Sequence, residues 1–266
     1  MTESGYEYDE GAAERYNVAV PVSDSEVAFY TALAREAKEQ GLATLELACG
    51  TGRVMISMAR AGIAMTGLDA SAAMLAVARE KSADLDDVRW LEGDMTAFKL
   101  DERFGLITIP AGSFHLLLTM EDQMACLRRA REHLSDGGRL VVALDNPDIV
   151  RLGEVLSTKR GVLQRNKARE FVHPRTGLQE RPWVTQEYSS SSQQLRSISR
   201  IDAVDDSGKV METRYSTMTL RLVFRYEMEH MLTRCGLQAE ALYGDFECGE
   251  YRGSSEQMLW VARTSD

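Results

Sequence analysis

The sequence has few of the residues that build disulfide-linked, zinc-binding or membrane-spanning proteins. Its four cysteines, Cys49, Cys126, Cys235 and Cys248, are scattered without a CxxC pair, which favours buried, reduced thiols with a structural role. No apolar run approaches the about eighteen residues of a membrane span. The start of the chain, MTESGYEYDE, is acidic where a secretion signal is basic and then apolar. We therefore expect a cytoplasmic protein with no membrane partner.

Positive charge is also scarce. The formal net charge is −10, and no Lys/Arg block stands out that would neutralise the phosphates of a nucleic acid. With 266 residues, of which 44% are hydrophobic, the chain can bury one sizeable core. We expect one α/β domain with an elaboration, acting on small molecules and binding no nucleic acid.

Apolar strand-like segments alternate with helical ones in the first part of the chain. Ser23 and Glu26 form a capping-box pattern at the start of a first helix that ends before Gly41. A helix capped by Ser71 and another at 120–134 follow, and strands are predicted at 43–49, 63–69, 88–94, 104–110 and 139–145. This alternation predicts a Rossmann-like, mostly parallel sheet with helices on both faces.

After Pro147 the pattern changes, because 183–222 predicts three long strands with a hairpin turn at 205–209. These strands predict an antiparallel β insertion after the fifth strand. A last helix near 225–235 and two closing strands would complete a seven-stranded main sheet. The predicted units are an N-terminal cap and first helix (1–42), the core (43–150), the insertion (151–222) and the completion of the core sheet (223–266).

The stretch LELACGTGR (45–53) places two glycines directly behind a buried strand, where a backbone often approaches a ligand. A Walker loop is excluded because no GK[ST] follows. A dinucleotide fingerprint is disfavoured because Met55 stands where the third glycine of GxGxxG belongs. An ordinary strand-helix turn is the plain alternative.

Several motifs occur here in one order: ELACGTG (46–52), GLDAS (67–71), GDM (93–95), GSFHLL (112–117) and NPD (146–148). In this order they resemble the class I S-adenosylmethionine (SAM) dependent methyltransferases. The insertion and YGDF (243–246) are similar to the small-molecule branch, which includes glycine and amino-sugar N-methyltransferases. One departure is Ala48, which stands at the first glycine of the family's turn. The resemblance implies SAM as cofactor and methyl transfer to N or O of a small molecule, with an amine favoured and a role in specialised metabolism.

The resemblance also implies a cofactor site. Asp69 would accept the ribose hydroxyls and Asp94 the adenine amino group, with Met95 against the adenine ring. Glu46 would orient the turn. The other implied cofactor residues are Tyr16, Ala48, Gly50, Gly52, Arg53, Ala70 and Ile109.

Candidates for catalysis are His115, after the fourth strand, and Tyr16, in a segment with Tyr8 that resembles the stretch folding over SAM. A half-buried packing role is the alternative for His115. Substrate-binding candidates are Asn146, which could instead cap a turn, together with Trp183 and Arg214, although arginines on such strands are often solvated.

A metal is not expected. Asp145 and Asn146 resemble a magnesium-binding pair of the metal-dependent catechol O-methyltransferases, but ITIPAGSF (107–114) supplies no third carboxylate. Three other functions stay open: a SAM-binding sensor or scaffold without turnover, a peptide or protein methyltransferase, and a nicotinamide oxidoreductase. A homodimer is a further expectation.

Overall fold

Strand β1 (Thr44–Leu47) is an interior strand of a seven-stranded sheet, and all of its residues are buried. The structure, a computed structural model, describes Ala13, Tyr16 and residues 20–157, 162–173 and 176–265. The other strands, in chain order, are β2 (Met65–Asp69), β3 (Val88–Glu92), β4 (Phe104–Ile109), β5 (Leu134–Asp145), β6 (Gln164–Arg165), β7 (Phe171–Val172), β8 (Gln179–Ser189), β9 (Gln194–Val204), β10 (Val210–Arg221), β11 (Leu237–Tyr243) and β12 (Gln257–Thr264). The helices are α1 (Asp24–Glu39), α2 (Met55–Arg60), α3 (Ala72–Lys81), α4 (Met120–His133), α5 (Ile149–Ser157) and α6 (Arg225–Arg234).

The main sheet has the order β11-β12-β5-β4-β1-β2-β3. Its central pairs are parallel, whereas β12 runs antiparallel to both β5 and β11. The predicted seven-stranded, mostly parallel sheet is therefore confirmed. Because the parallel strands share a direction, the segments that follow β1, β2, β4 and β5 meet at one edge of the sheet.

Helices cover both faces of this sheet, as predicted. One core cluster joins the strands to α4 and α6, through residues such as Leu127 and Met231. The other joins them to α1, α2 and α3, through residues such as Tyr30, Met55 and Leu75. Alternate residues of each strand thus enter opposite clusters, which is why the strands have nearly continuous apolar sequences.

The antiparallel insertion is also confirmed. Strands β10, β9, β8 and β6 lie side by side in that order, with β7 also paired to β8; we call this the insertion sheet. The predicted turn at 205–209 joins β9 to β10, and the Asp205 carboxylate closes it by accepting the backbone N–H groups of Ser207 and Lys209.

Helix α5, at the start of the insertion, was not predicted from the sequence. Asp148 caps it by accepting the Arg151 backbone N–H at 3.0 Å. Its sequence, IVRLGEVLS, contains β-branched residues and Gly153, all of which have low helix propensity. Strand β5 also begins earlier than predicted, at Leu134, but its pairing with β4 shifts register between Leu134 and Arg139, where Gly137 takes a left-handed φ of 72°.

Two local predictions need correction. Ser23 does cap α1 by accepting the Glu26 N–H at 3.1 Å, but the Glu26 side chain binds Arg53 instead of completing the capping box. Cys49, Cys126 and Cys235 are buried free thiols, whereas Cys248 is exposed in the segment between β11 and β12. A buried structural role is therefore wrong for Cys248. No helix within the described ranges is both long and apolar enough to cross a membrane.

Gly52 should be more sensitive to alanine than Gly41, although both take a left-handed φ, of 71° and 73°. A Cβ at Gly52 would lie 2.5 Å from the Trp90 ring, whereas a Cβ at Gly41 meets nothing within 4 Å. Trp90 cannot readily move away, because its indole N–H binds Ser82 Oγ at 3.0 Å. We expect Gly41→Ala to lower the free energy of unfolding by about 1–2 kcal/mol, which is the cost of a left-handed backbone in a residue with a Cβ.

We expect Gly52→Ala to lower the free energy of unfolding by about 1–3 kcal/mol more than Gly41→Ala does, because this is the usual cost of overpacking. Urea unfolding of the two variants measures the difference. Equal losses would contradict the steric account.

Candidate functional site

The turn after β1 has an unusual backbone. Ala48, Gly50 and Gly52 have φ values of 54°, 55° and 71°, all in the left-handed region. Glycine adopts this region without strain, but an alanine does so at a cost. Ala48 therefore keeps the backbone conformation of a glycine, and the segment 48–52 forms a tight turn at the edge of the sheet.

Asp69, the last residue of β2, fixes this turn. Its Oδ2 accepts the Gly50 N–H at 2.7 Å, and its Oδ1 accepts the Ser71 N–H at 2.8 Å. Burial raises the pKa of Asp69, while these two backbone hydrogen bonds oppose the rise. Ala70 is exposed between Asp69 and Ser71. A carboxylate oxygen has more than one lone pair, so Asp69 can still accept further donors.

Asp94 follows β3 on the neighbouring strand and is exposed. Its Oδ1 accepts the backbone N–H and the hydroxyl of Thr96 at 2.7 and 2.8 Å. Met95 is half-buried and packs against the core. The side chain of Ile109, at the end of β4, is fully buried in that core, so only its backbone can reach the edge of the sheet.

A buried acidic cluster lies beneath the turn, on the α1 side of the sheet. It consists of Glu26, Glu46, Arg53 and Asp69, which we call the turn cluster. Arg53 forms a bidentate ion pair with Glu26, both N···O distances being 2.6 Å. The cluster thus holds more carboxyl groups than cations, which favours a positively charged ligand.

Glu46 is the deepest member of the turn cluster, being 1% exposed. Its Oε2 has no hydrogen-bond partner in the part of the chain that the structure describes. Burial, reinforced by Glu26 and Asp69 and opposed by Arg53, raises the pKa of Glu46 to about 8. The carboxyl is therefore protonated at neutral pH unless a cation is brought to it.

Tyr16 contacts the same cluster. Its hydroxyl forms a hydrogen bond with Arg53, and burial raises the pKa of Tyr16. The phenol is thus neutral at physiological pH and can donate a hydrogen bond, but it is not an anionic base. Tyr8, its companion in the sequence motif, lies outside the described residues.

His115 does not stand open at the edge of the sheet, because its side chain is fully buried. Its Nδ1 lies 2.9 Å from the carbonyl oxygen of Arg221, and its Nε2 lies 3.4 Å from that of Asp145. Burial lowers the pKa of His115. When the neutral ring carries its proton on Nδ1, it donates to the Arg221 carbonyl, which joins the end of β10 to the segment that follows β4.

Asn146 is held by the segment between β11 and β12. Its Nδ2 donates to the Ser255 carbonyl at 2.8 Å, and its Oδ1 accepts the Tyr251 hydroxyl at 3.0 Å. These contacts match the alternative in which Asn146 stabilises a turn, because both its Nδ2 and its Oδ1 are hydrogen-bonded to groups of the protein.

Trp183 and Arg214 do not lie on the same face of the insertion sheet. The strand register places Trp183 beside Arg200 and Tyr215, whereas Arg214 lies beside Ile201 and Pro182. Neighbouring rows of a sheet project to opposite faces, so the two side chains lie on opposite sides of the insertion sheet. Arg214 is also paired with Glu180, which is 2% exposed, and with Glu212 at 2.7 Å.

Two sets of residues were missed by the sequence reasoning. Glu26 was recognised only as a capping residue, and nothing in its spacing indicated its ion pair with Arg53. Arg221, at the end of β10, is buried and donates to Gln123 of α4 at 2.6 Å and to Glu227 of α6 at 2.5 Å. An arginine among alternating strand residues gives no sign of such a network.

Metal ligands are not gathered anywhere in the described ranges: no three His, Cys, Asp or Glu side chains there are arranged to hold an ion. Asp145 is exposed, and its carboxylate faces Gly112, where an added Cβ would lie 3.3 Å from Oδ2.

The sequence and the fold are similar to those of known methyltransferases. A family model described as a methyltransferase domain matches residues 44–138. The chain is 26% identical to the cypemycin N-terminal methyltransferase of a Streptomyces species over 96% of both chains. It is 33% identical to dTDP-3-amino-3,6-dideoxy-alpha-D-glucopyranose N,N-dimethyltransferase of Streptomyces fradiae, over 44% of this chain and 45% of that one.

A solved structure is also similar. The SAM-bound CalS10, an amino pentose methyltransferase from Micromonospora echinaspora, superposes with a TM-score of 0.72 at 21% identity, over 97% of this chain and 98% of that one. Residues 44–138 thus match a methyltransferase domain, and the protein is a SAM-dependent methyltransferase with SAM as its cofactor.

The turn cluster predicts a pH-dependent stability that depends on Glu46. Its carboxyl keeps a proton up to about pH 8 in the folded protein, but loses it near the ordinary value of 4.5 when unfolded. Between these values the folded state binds more protons, so the contribution of Glu46 to stability falls as pH rises. Each pKa unit corresponds to about 1.4 kcal/mol.

We expect Glu46→Gln to remove this fall. The stability of the variant relative to the wild type should therefore increase across the same pH window, measured by urea unfolding in a pH series. Glu39→Gln, an exposed residue on α1, is the matched control and should show no such trend. If the difference in free energy of unfolding between Glu46→Gln and the wild type did not change with pH, the raised pKa of Glu46 would be contradicted.

Proposed function

We propose that the protein methylates an amine of a small-molecule acceptor in specialised metabolism, with transfer to an oxygen as the wider possibility. The observation that carries the choice of an amine is the burial of His115, whose ring nitrogens face two backbone carbonyls. An amine needs only to be presented unprotonated, whereas a hydroxyl often needs a base beside it. The names of two relatives agree, since one is called an N-terminal methyltransferase and the other an N,N-dimethyltransferase of an amino sugar.

The residues at the turn fit SAM. The turn cluster has an excess of carboxyl groups for a cationic ligand, and Glu46 has a buried oxygen without a described partner. We propose that Asp69 accepts the ribose hydroxyls, that Asp94 and Met95 hold the adenine, and that Glu46 and the backbone of Ala48, Gly50 and Gly52 face the methionyl part. Arg53, Ala70 and Ile109 complete the site, Arg53 by holding Glu26 and Tyr16.

When bound, SAM supplies an electrophilic methyl group on a sulfonium. The task of the chain is then to hold the acceptor nitrogen in line with that methyl and to exclude water, which can supply much of the acceleration. We propose that the neutral Tyr16 hydroxyl closes the site over the cofactor and donates a hydrogen bond there. His115 would act by fixing the end of β10 beside the segment that follows β4, through its bond to Arg221.

The acceptor would meet the insertion. Because Trp183 and Arg214 lie on opposite faces of the insertion sheet, we propose that only one of them contacts the acceptor. We propose that Asn146 shapes the entrance through its bonds to the β11–β12 segment. The division into 1–42, 43–150, 151–222 and 223–266 stays our proposal for the functional units. Four free thiols suit a reducing compartment, so we propose the cytoplasm, and we propose a homodimer as the working assembly.

Incubation with methyl-labelled SAM and a metabolite extract tests the proposal. Label should enter small molecules, and the labelled products should carry N-methyl groups by mass spectrometry. Label confined to O-methyl products would overturn the choice of an amine.

A second candidate is a peptide methyltransferase. The relative named as the cypemycin N-terminal methyltransferase matches over 96% of the chain, and an N-terminus as acceptor favours this alternative specifically. Label found only in peptides or protein bands would establish it. Heat protection by SAM with no S-adenosylhomocysteine formed across a broad amine and peptide panel would instead indicate a sensor or scaffold.

Asp69 gives a direct test of the cofactor site. Replacing Asp69 with alanine removes the proposed acceptor of the ribose hydroxyls, so SAM binding should weaken by about 1–3 kcal/mol, the scale of lost hydrogen bonds to a charged group. Isothermal titration with SAM measures the change. Asp101→Ala, an exposed loop carboxylate, should bind normally. Because Asp69 also supports the turn, urea unfolding must show that the variant is folded; unchanged SAM affinity in a folded variant would refute the site.

A further inference from the structure

Glu26 and Arg53 connect the first turn of α1 to the turn after β1. The Glu26 carboxylate accepts both arms of the Arg53 guanidinium at 2.6 Å, and the Arg53 and Glu26 side chains are only 9% and 7% exposed. Nη1 of Arg53 also donates to the Pro21 carbonyl at 3.4 Å. A bidentate pair of this kind fixes the orientation of the guanidinium and neutralises its charge. Arg53 is therefore held toward α1.

Glu46 is left outside this ion pair. It is buried in β1, and its Oε2 has no hydrogen-bond partner in the part of the chain that the structure describes. Its neighbours on the adjacent strands are Gly67 of β2 and Thr108 of β4, neither of which is titratable. Arg53 is close enough to Glu46 to stabilise a negative charge there, but Glu26 takes both of its arms.

The other titratable groups around Glu46 supply no positive charge. Glu26 and Asp69 both oppose its ionisation, and burial opposes it most, so that the pKa of Glu46 is raised to about 8. Three further groups interact with Glu46 electrostatically: Tyr16, Tyr30 and Cys49. Burial raises the pKa of all three, so they are uncharged at neutral pH. A buried carboxyl in such surroundings is more stable as the neutral acid.

We propose that Glu26 is a positioning residue for the cofactor: by holding Arg53 it keeps Glu46 protonated in the free protein, and Glu46 releases this proton when the ammonium group of the cofactor binds. This inference rests on the proposed function, in which Glu46 faces the methionyl part of SAM. It adds a role for Glu26 and a proton that leaves the protein on binding.

The step is a single proton transfer without any change of oxidation state. Before binding, the Glu46 carboxyl carries a proton and the amino group of the cofactor is an ammonium. On binding, the O–H bond of the carboxyl breaks, the proton goes to the solvent, and the carboxylate pairs with the ammonium. Because fewer protons have to be displaced at higher pH, binding should tighten as the pH rises toward about 8.

S-adenosylhomocysteine is the probe, because it has the amino group of SAM but carries no methyl group to transfer. Isothermal titration in two buffers with different heats of ionisation counts the protons released. We expect about one proton per site near neutral pH, and an affinity that rises on the order of tenfold between about pH 6 and pH 7. The analogue with hydrogen in place of the amino group should release no proton and show no such rise. It keeps the ribose, so it also controls for Asp69.

Glu26→Gln tests the positioning role. The charge of Arg53 is then available to Glu46, which should already be ionised in the free protein, so far fewer protons should be released near neutral pH. Glu26→Gln combined with Arg53→Gln removes the cation as well and should restore the release, because Glu46 is again buried without one. Glu39→Gln, an exposed residue of the same helix, is the matched control and should behave as the wild type.

Circular dichroism checks that each variant is folded. Equal proton release by the wild type and Glu26→Gln would contradict the role of Glu26, and so would a double variant that releases no more than Glu26→Gln. The two ligands are compared on the wild type, so that comparison needs no variant. Binding of S-adenosylhomocysteine without proton release would overturn this inference and leave methyl transfer untouched, whereas a folded wild type that binds none of it would overturn the cofactor site itself.

Discussion

The site depends on a charge imbalance around one arginine. Arg53 is shared among Glu26, Glu46 and Tyr16, and Glu26 takes both arms of its guanidinium. Glu46 is left inside the protein with one oxygen unsatisfied in the described structure. An unpaired carboxylate in such a place is costly, so the free protein keeps this group as an acid. A cationic ligand reverses that preference, and the fold is thereby prepared for one.

The main sheet could be predicted from the sequence because its signals are local. Short apolar strands, the helix caps at Ser23 and Ser71 and the glycines of the turn each depend on neighbouring residues, and the structure contains all of them. The predictions failed where local propensity and tertiary packing disagree. Helix α5 forms despite Gly153 and β-branched residues, and β5 runs through a Ser-Asp-Gly-Gly segment whose composition is typical of a turn.

The candidate site was predictable only in part, for a similar reason. Asp69 and Asp94 lie at strand ends, where the order of elements fixes their place. The partners of Arg53 and Arg221 depend on residues far apart in the chain, so no spacing indicates them. Trp183 and Arg214 show the opposite problem: composition suggested both, but the register of the strands separates them by face. Their roles in acceptor binding therefore stay predictions.

The network at Arg221 bears on how the molecule unfolds. One residue contributes a carbonyl to His115 and a guanidinium to two helices of the main core, while its own strand belongs to the insertion sheet. Separating the two sheets would leave a buried guanidinium, a glutamate and an imidazole without partners at the same time. For this reason the insertion sheet does not fold independently of the main sheet. Both sheets should unfold in a single cooperative transition.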